Sequence, residues 1–309
     1  MFARISVVAL NTYREAVRAR VLHGLFALAI ATAGYSLVVG AFALNSSLRV
    51  VSDLGAASVS VYGIVVAVVL GATSLYRELE LKTIFPILAR PIRRSEYLIG
   101  KYLGTVLTLA VFIAANSGVL LLALGVQAGR PAAAPLGLAL GVTLALGGLA
   151  FRVARARSYL PIPWAFLILL AGAYFAGGAP DDRRVVLGSA LLTLAEVALV
   201  TAIATVFSSF SSPFLSAVFT FGVFVVGRSA DTLARLPARI FGPFLASVGG
   251  YLAKVVPNLM LYVPPRPLLT GEASGSLPVY LGMAVLHSLA WSVLLLACAS
   301  ILFRRRDFL

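Results

Sequence analysis

Residues 76–102 read YRELELKTIFPILARPIRRSEYLIGKY, the longest soluble-looking piece between strongly apolar runs. They hold six of the chain's 25 basic residues and three of its 11 acidic ones. Leu81, Ile84, Phe85 and Leu88 recur at i, i+3, i+4 and i+7, which gives a helix one apolar face. Arg77, Glu78, Lys82 and Thr83 fall away from that stripe, and Pro86 and Pro91 interrupt or end the helix. A short amphipathic helix of this kind can rest on a membrane surface and show its charged face to water. Such a face either receives a push from a partner protein or serves as a plain basic loop that fixes topology.

The sequence on either side identifies the solvent. The chain is 61% hydrophobic and 12% charged, where a soluble domain carries about 25% charge. Its mean hydropathy is +1.00. Several runs of roughly 20 apolar residues predict transmembrane helices. A bilayer offers backbone groups no outside partner, so the expected fold is all-α, a polytopic transmembrane helix bundle. The net charge of +14 would suggest nucleic acid in a soluble protein. Here the cations sit between spans, where they orient the chain and meet anionic headgroups of membrane lipids, and nucleic-acid binding is not expected.

Upstream, residues 2–20 carry Ile5, Val8, Ala9, Thr12, Tyr13, Ala16 and Val17 on one helical stripe, opposite Arg4, Asn11, Glu15 and Arg18. This predicts an interfacial helix ahead of the first span. Ala41-Phe42-Ala43 mimics a signal-peptide cleavage site, but the apolar run 21–44 is long for an h-region. The first two spans are expected at 21–44 and 56–75, joined by a loop with Asn45, Arg49 and Asp53.

Downstream, the third span is expected at 103–126, with Gly100 and Gly104 forming a small-xxx-small face at its start. Runs at 136–151 and 160–178 suggest a hairpin, spanning or re-entrant, with Gly137 and Gly141 as a second GxxxG. The sixth span, 185–207, carries Glu196 near its middle and ends at the turn 208–213. The seventh run, 214–227, is short for a ~30 Å core. It must extend, thin the bilayer or be shielded by neighbours. Residues 228–278 read as an extracytoplasmic segment with a surface-lying helix broken near Gly242-Pro243 and a non-helical Pro-rich end at 263–267. The last span is expected at 279–303. With the N-terminus inside, cytoplasmic segments hold 16 basic residues and outer ones 9, which favours eight spans with both termini inside.

Chemistry-bearing motifs are few. The Gly100-Lys101 pair is followed by Tyr102 and lacks the upstream glycine of a GxxxxGK(S/T) phosphate loop. No Ser/His/Asp set, HExxH motif or paired intramembrane carboxylates are evident, so enzymatic activity in this chain is not expected. Cys298 stands alone, which excludes an intramolecular disulfide and a cysteine-built metal site. Together with three methionines, it argues against a copper-handling stripe. His23 and His287 read as packed or interfacial polar residues. Glu196 at mid-bilayer must face protein or water. Asn116 is a candidate partner, with interhelical hydrogen bonding the favoured role. Arg228 and Asp231, at i and i+3, read as an interfacial ion pair.

Asn11 to Leu22, NTYREAVRARVL, resembles the first amphipathic helix of type-2 ABC transporter permeases. The segment with Arg77-Glu78, Lys82-Thr83, Ala89-Arg90-Pro91, Arg94 and Gly100-Lys101 resembles that family's cytoplasmic loop between spans two and three. Glu196, Phe207-Ser208-Ser209-Phe210, Gly227, Val256-Pro257-Asn258-Leu259 and the Arg305-Arg306-Asp307-Phe308 tail are similar to later parts of the family. Residues 127–180 are not covered and look like an added hairpin. The resemblance implies a six-span exporter-type core in a prokaryotic inner membrane, working as a dimer with a second permease copy or paralogue. It also implies an ABC ATPase subunit that carries ATP and Mg, this chain itself holding no cofactor. The ATPase-docking face would be Arg77, Glu78, Glu80, Lys82, Thr83, Arg90, Pro91 and Arg94, with Ser209 and Ser211 as a smaller contact. Mostly apolar spans suit a lipid, drug or other amphiphile as substrate, and suit bilayer solvation equally well. The rival readings are an ATP-independent transporter and a non-transporting membrane assembly protein.

Overall fold

Two helices of 34 residues, α3 (Ser47–Glu80) and α4 (Arg94–Gln127), form the middle of the bundle together with α7 (Pro180–Ser208). The computed structural model describes residues 2–43, 46–80, 93–153, 157–272 and 276–304. Before α3 come α1 (Phe2–Val17) and α2 (Arg20–Phe42). Between α4 and α7 lie α5 (Ala133–Arg152) and α6 (Pro161–Phe175). After α7 the chain forms α8 (Pro213–Arg228), α9 (Ala230–Ala234), α10 (Ala238–Val255), α11 (Arg266–Thr270) and α12 (Leu277–Arg304). No strand occurs among the described residues. Among the described residues seven helices are long and apolar enough to cross a membrane, and the 16-residue α8 is a shorter apolar helix. The protein is a helical bundle of the integral-membrane kind.

Burial sorts the helices by position. In α4, 78% of the most apolar stretch is buried, against 6% in α5. The exposed side chains of α5 are still Leu136, Leu140, Leu144 and Phe151, because lipid is as apolar as a protein core. Several hydroxyls inside the bundle are satisfied locally, whereas those of Tyr13, Tyr97 and Ser117 are buried without a partner among the described residues. Thr108, Thr201 and Thr220 each donate to the carbonyl four residues back, at 2.6–2.9 Å.

The apolar stripe of α1 turns onto α4, so that face is covered by protein. Ile5, Thr12, Tyr13 and Ala16 are buried. The helices cross where α4 has no side chains. A Cβ on Gly100 would lie 2.6 Å from Val8 Cβ, and one on Gly104 would lie 2.4 Å from the Ala9 carbonyl oxygen. The second small-residue pair behaves differently, since a Cβ on Gly137 or Gly141 meets nothing within 4 Å.

Both membrane helices that flank residues 81–92 run beyond the expected spans. α3 continues to Glu80 because no Gly or Pro stops it after Gly71. α4 starts at Arg94, where the Arg93 amide donates to Glu96 Oε2 at 3.1 Å. The expected break at Gly242-Pro243 is present: Gly242 has φ of 83°, and the chain kinks there inside α10. The Pro-rich end is only partly non-helical. Pro264 and Pro265 are outside helix, but Pro267 sits in the first turn of α11, where a missing N–H costs nothing.

Tyr97, Leu98, Ala299 and Phe303 pack together with Val8 and Val206. This cluster brings the start of α1, the start of α4, the end of α7 and the end of α12 to one end of the bundle. The opposite end gathers the start of α3, the start of α7 and α11.

Candidate functional site

α8 is antiparallel to α7 and stops part-way along it. Glu196 lies 12 residues from Ser208, or ~18 Å at 1.5 Å per residue, and ~24 Å from the Pro180 end. Arg228, the last residue of α8, meets it there. Its Nε donates to Glu196 Oε1 and its Nη2 to Oε2, both at 2.8 Å. The Glu196 side chain is 1% exposed and the Arg228 side chain 24%. The cation also sits 5.5 Å from the Phe224 ring centroid. A fork-on-carboxylate geometry is what makes a charge tolerable at such a depth.

This arrangement replaces two expected ones. Asn116 does not reach Glu196; its Nδ2 donates to the Phe112 carbonyl of its own helix at 2.8 Å. Asp231 is not the partner of Arg228; its Oδ1 accepts from Asn258 Nδ2 at 2.8 Å. A carboxylate buried in apolar surroundings gains more from a guanidinium than from an amide. The exposed Asp231 has no such need.

Beyond Arg228 the backbone folds back on itself. The Leu259 amide donates to the Gly227 carbonyl at 3.0 Å. A Cβ on Gly227 would lie 2.8 Å from the Pro257 carbonyl oxygen, so the return requires glycine. Met260 N donates to Asn258 Oδ1 at 2.9 Å, fixing the turn. Residues 256–270 then run along α7 towards its Pro180 end, with Leu259, Tyr262 and Leu269 buried. This part of 228–278 is therefore docked in the bundle and is not a free loop. Tyr280 Oη donates to the Leu261 carbonyl at 2.6 Å, and Tyr262 Oη shares a hydrogen bond with His287 Nδ1 at 2.9 Å. Irregular backbone at membrane depth survives only where protein or a wet cavity receives its polar groups.

Such a cavity is present. It has a volume of about 610 Å³ and lies between α3, α7, the end of α8 and residues 260–269. Ala56, Ala57, Ile64, Val185 and Met260 give it an apolar wall, and Ser60, Ser189, Thr193, Arg228 and Arg266 add polar groups. That volume falls within the ~300–1,000 Å³ of small-molecule sites. Nη1 of Arg228 has no hydrogen-bond partner among the described residues.

An ionic knot stands at the far end of this cavity. Arg266 donates from Nη1 to Asp53 and to Ser52 Oγ, and from Nη2 to Asp182. Ser52 in turn donates to Asp182 Oδ1 at 2.7 Å. The carboxylates of Asp53 and Asp182 compensate the part-buried Arg266 charge. Neither Arg266 nor Asp182 stood out in the sequence. One is in a proline-rich stretch and the other in a charged turn, and 84 residues separate them.

Of the docking residues expected from sequence, Arg94, Ser209 and Ser211 have described side chains and belong to the other end. Arg94 Nη1 donates to the Phe303 carbonyl at 3.3 Å. Ser209 Oγ donates to the Val206 carbonyl at 2.6 Å, and Ser211 Oγ to the Phe207 carbonyl at 2.8 Å, so both first serve the C-terminus of α7. Val206 packs against Tyr97 and Leu98, which puts the 208–213 turn beside the start of α4. Arg77, Glu78 and Glu80 lie in the last turns of α3, with side chains outside the described part. Lys82, Thr83, Arg90 and Pro91, with the apolar stripe Leu81–Leu88, lie outside the described residues. Just inside this end, Lys101 is buried, donates to the Ser74 carbonyl at 3.3 Å and pairs with Glu15 at 3.6 Å. It ties α1, α3 and α4 together.

No protein-family model matches the chain, and comparison with curated proteins returns no significant match.

Proposed function

We propose that the chain is the membrane-spanning permease subunit of an ABC exporter of the type-2 kind. Two copies, or this chain and a paralogue, pair in a prokaryotic inner membrane with both termini cytoplasmic. Separate ATPase subunits, carrying ATP and Mg, dock at the end that holds the termini. Arg77, Glu78, Glu80, Lys82, Thr83, Arg90, Pro91 and Arg94 form the main docking face, with Ser209 and Ser211 beside it. In this reading the six-span core is α2, α3, α4, α7, the broken span of α8 with residues 256–270, and α12. The α5–α6 pair is the added hairpin.

The observation that carries the reading is the broken span. It leaves a cavity of about 610 Å³ lined by Arg228, a charged group held at the depth of Glu196. Polar groups line the cavity, and the end of α3 and start of α4, which bracket the charged segment, lie at the opposite end of the bundle from the Arg266 knot. ATP-driven closure of the docked subunits would move that segment, and stiff 34-residue helices would carry the movement to the cavity walls as rigid bodies. An amphiphile suits a cavity with an apolar wall and a few polar groups.

The test is affinity purification of the tagged full chain from its native membrane. A phosphate-loop ATPase should co-purify in near-equal amount. Glu78→Lys combined with Glu80→Lys should sharply reduce its recovery while leaving membrane insertion intact. Recovery of the chain with no ATPase overturns the proposal.

A second reading is favoured by the same break, because discontinuous helices at mid-depth also build ATP-independent transporters. Ion-gradient-driven uptake into liposomes that contain the chain alone would establish it.

A further inference from the structure

A different corner of the molecule combines an apolar slot with arginines that make no ion pair among the described residues. The slot lies where α1, α2, α4 and α6 meet and has a volume of about 140 Å³. Phe26, Phe112 and Trp164 form its aromatic wall, with Phe26 edge-on to Phe112 at 6.2 Å and to Trp164 at 6.1 Å between ring centroids. It is too small for a drug-sized ligand, which takes ~300 Å³ or more, but it admits a few methylenes of an extended chain. Val17 lines the slot, and Arg14 and Arg18 flank Val17 on α1.

The rim above the slot is cationic. Arg18 Nη2 donates to Ser158 Oγ at 3.4 Å, and the exposed Arg157 is the neighbour of Ser158. The Arg14 guanidinium lies 5.7 Å from the Tyr159 ring centroid. Arg14, Arg18 and Arg157 make no ion pair among the described residues. The Nε of Arg14 is covered and has no acceptor. The Nη groups of Arg14 make no hydrogen bond among the described residues either, so an anion that reaches them meets an unoccupied donor fork.

We propose that this corner is a binding site for one anionic phospholipid. Its phosphate is held by Arg14, Arg18 and Arg157, and the upper part of one acyl chain lies in the slot against Trp164. Charge above an apolar slot matches an amphiphile whose head is a phosphodiester. A zwitterionic head brings its own cation and forfeits most of the attraction. Basic residues that merely set topology need no slot beneath them. The proposal does not depend on the transport reading.

The experiment uses the full chain in detergent, with lipid retention read by native mass spectrometry and stability by thermal unfolding. Phosphatidylglycerol should be retained as one bound copy and raise the unfolding temperature, with phosphatidylcholine doing neither. Arg14→Gln, Arg18→Gln and Arg157→Gln together should weaken retention on the order of 100-fold, at ~1 kcal/mol per charge. Ala115→Leu, which fills the slot and leaves the arginines alone, should also weaken it, and this variant carries the test if the triple variant does not fold. Arg239→Gln, on α10, should change nothing. Equal effects of phosphatidylcholine, the same shift with inorganic phosphate alone, equal loss in Arg239→Gln, or unchanged retention in the slot and rim variants each overturn the proposal.

Discussion

Glu196 and Arg228 illustrate how unevenly a buried pair can share its burden. The carboxylate side chain is 1% exposed inside α7, whereas the guanidinium is 24% exposed and lines a cavity. Breaking a buried pair costs ~3–5 kcal/mol because the survivor is left charged and alone. That cost depends on which partner survives. Arg228→Gln strands Glu196 where no water can reach, so it should destabilise by about 3–5 kcal/mol. Glu196→Gln leaves Arg228 lining the cavity, so its cost should be smaller, about 1.5–3 kcal/mol, the range for a hydrogen bond to a charged group. Glu196→Gln with Arg228→Met should fall closer to Glu196→Gln than the sum of the single changes. Denaturant unfolding in detergent checks the order, and equal costs for the two single changes would count against the asymmetry. The sequence pointed to Glu196 because a carboxylate amid apolar residues is conspicuous. It did not point to Arg228 as the partner, because the depth of Arg228 follows from where α8 stops. That stop is set by a tertiary contact, the Gly227–Leu259 hydrogen bond.

Among helices, the two GxxxG pairs give the sharpest contrast between legible and illegible features. Gly100/Gly104 and Gly137/Gly141 have the same spacing and lie in similar apolar surroundings. The first pair receives α1 at contact distance, and the second faces open space. Nothing in the spacing distinguishes them, since the difference lies in what another helix brings. The helices themselves were readable because lipid demands long apolar runs, but the lengths of α3 and α4 were not, since both continue past their apolar stretches. The broken span was half-readable. The shortness of run 214–227 marked it, but its completion by residues 256–270 depended on burial that a Pro-rich stretch does not advertise. Gly104→Val should push α1 off α4, and overpacking of this kind costs ~1–3 kcal/mol. Gly137→Ala should be neutral or stabilise by up to ~1 kcal/mol through helix propensity. Thermal unfolding of the two variants checks the pair, and a comparable loss in both would mean that α5 has a close neighbour.

At the scale of the molecule, the two ends of the bundle differ in kind. One end gathers the first helix, the start of α4, the end of α7 and the end of α12 around Tyr97 and Phe303. It also carries the Lys101 tie and leads into the basic segment 76–102. The other end carries balanced pairs, Arg266 with Asp53 and Asp182, and Arg184 with Asp181. The proposed function puts the Tyr97 end in the cytoplasm, the side that an excess of Lys and Arg in segment 76–102 would favour. In that orientation the part of the cavity lined by Asp53 and Arg266 would lie nearer the outer side. Introduced cysteines test this in a Cys298→Ser background, which leaves each introduced thiol as the only one in the sequence. In intact cells, a membrane-impermeant thiol reagent should label Ala57→Cys or Met260→Cys, both lining the cavity, and should not label Ser95→Cys at the start of α4. Permeabilised cells should give labelling at Ser95→Cys. The reverse pattern would put residues 76–102 outside, beyond the reach of any cytoplasmic ATPase, and would leave the gradient-driven reading as the one compatible with the cavity.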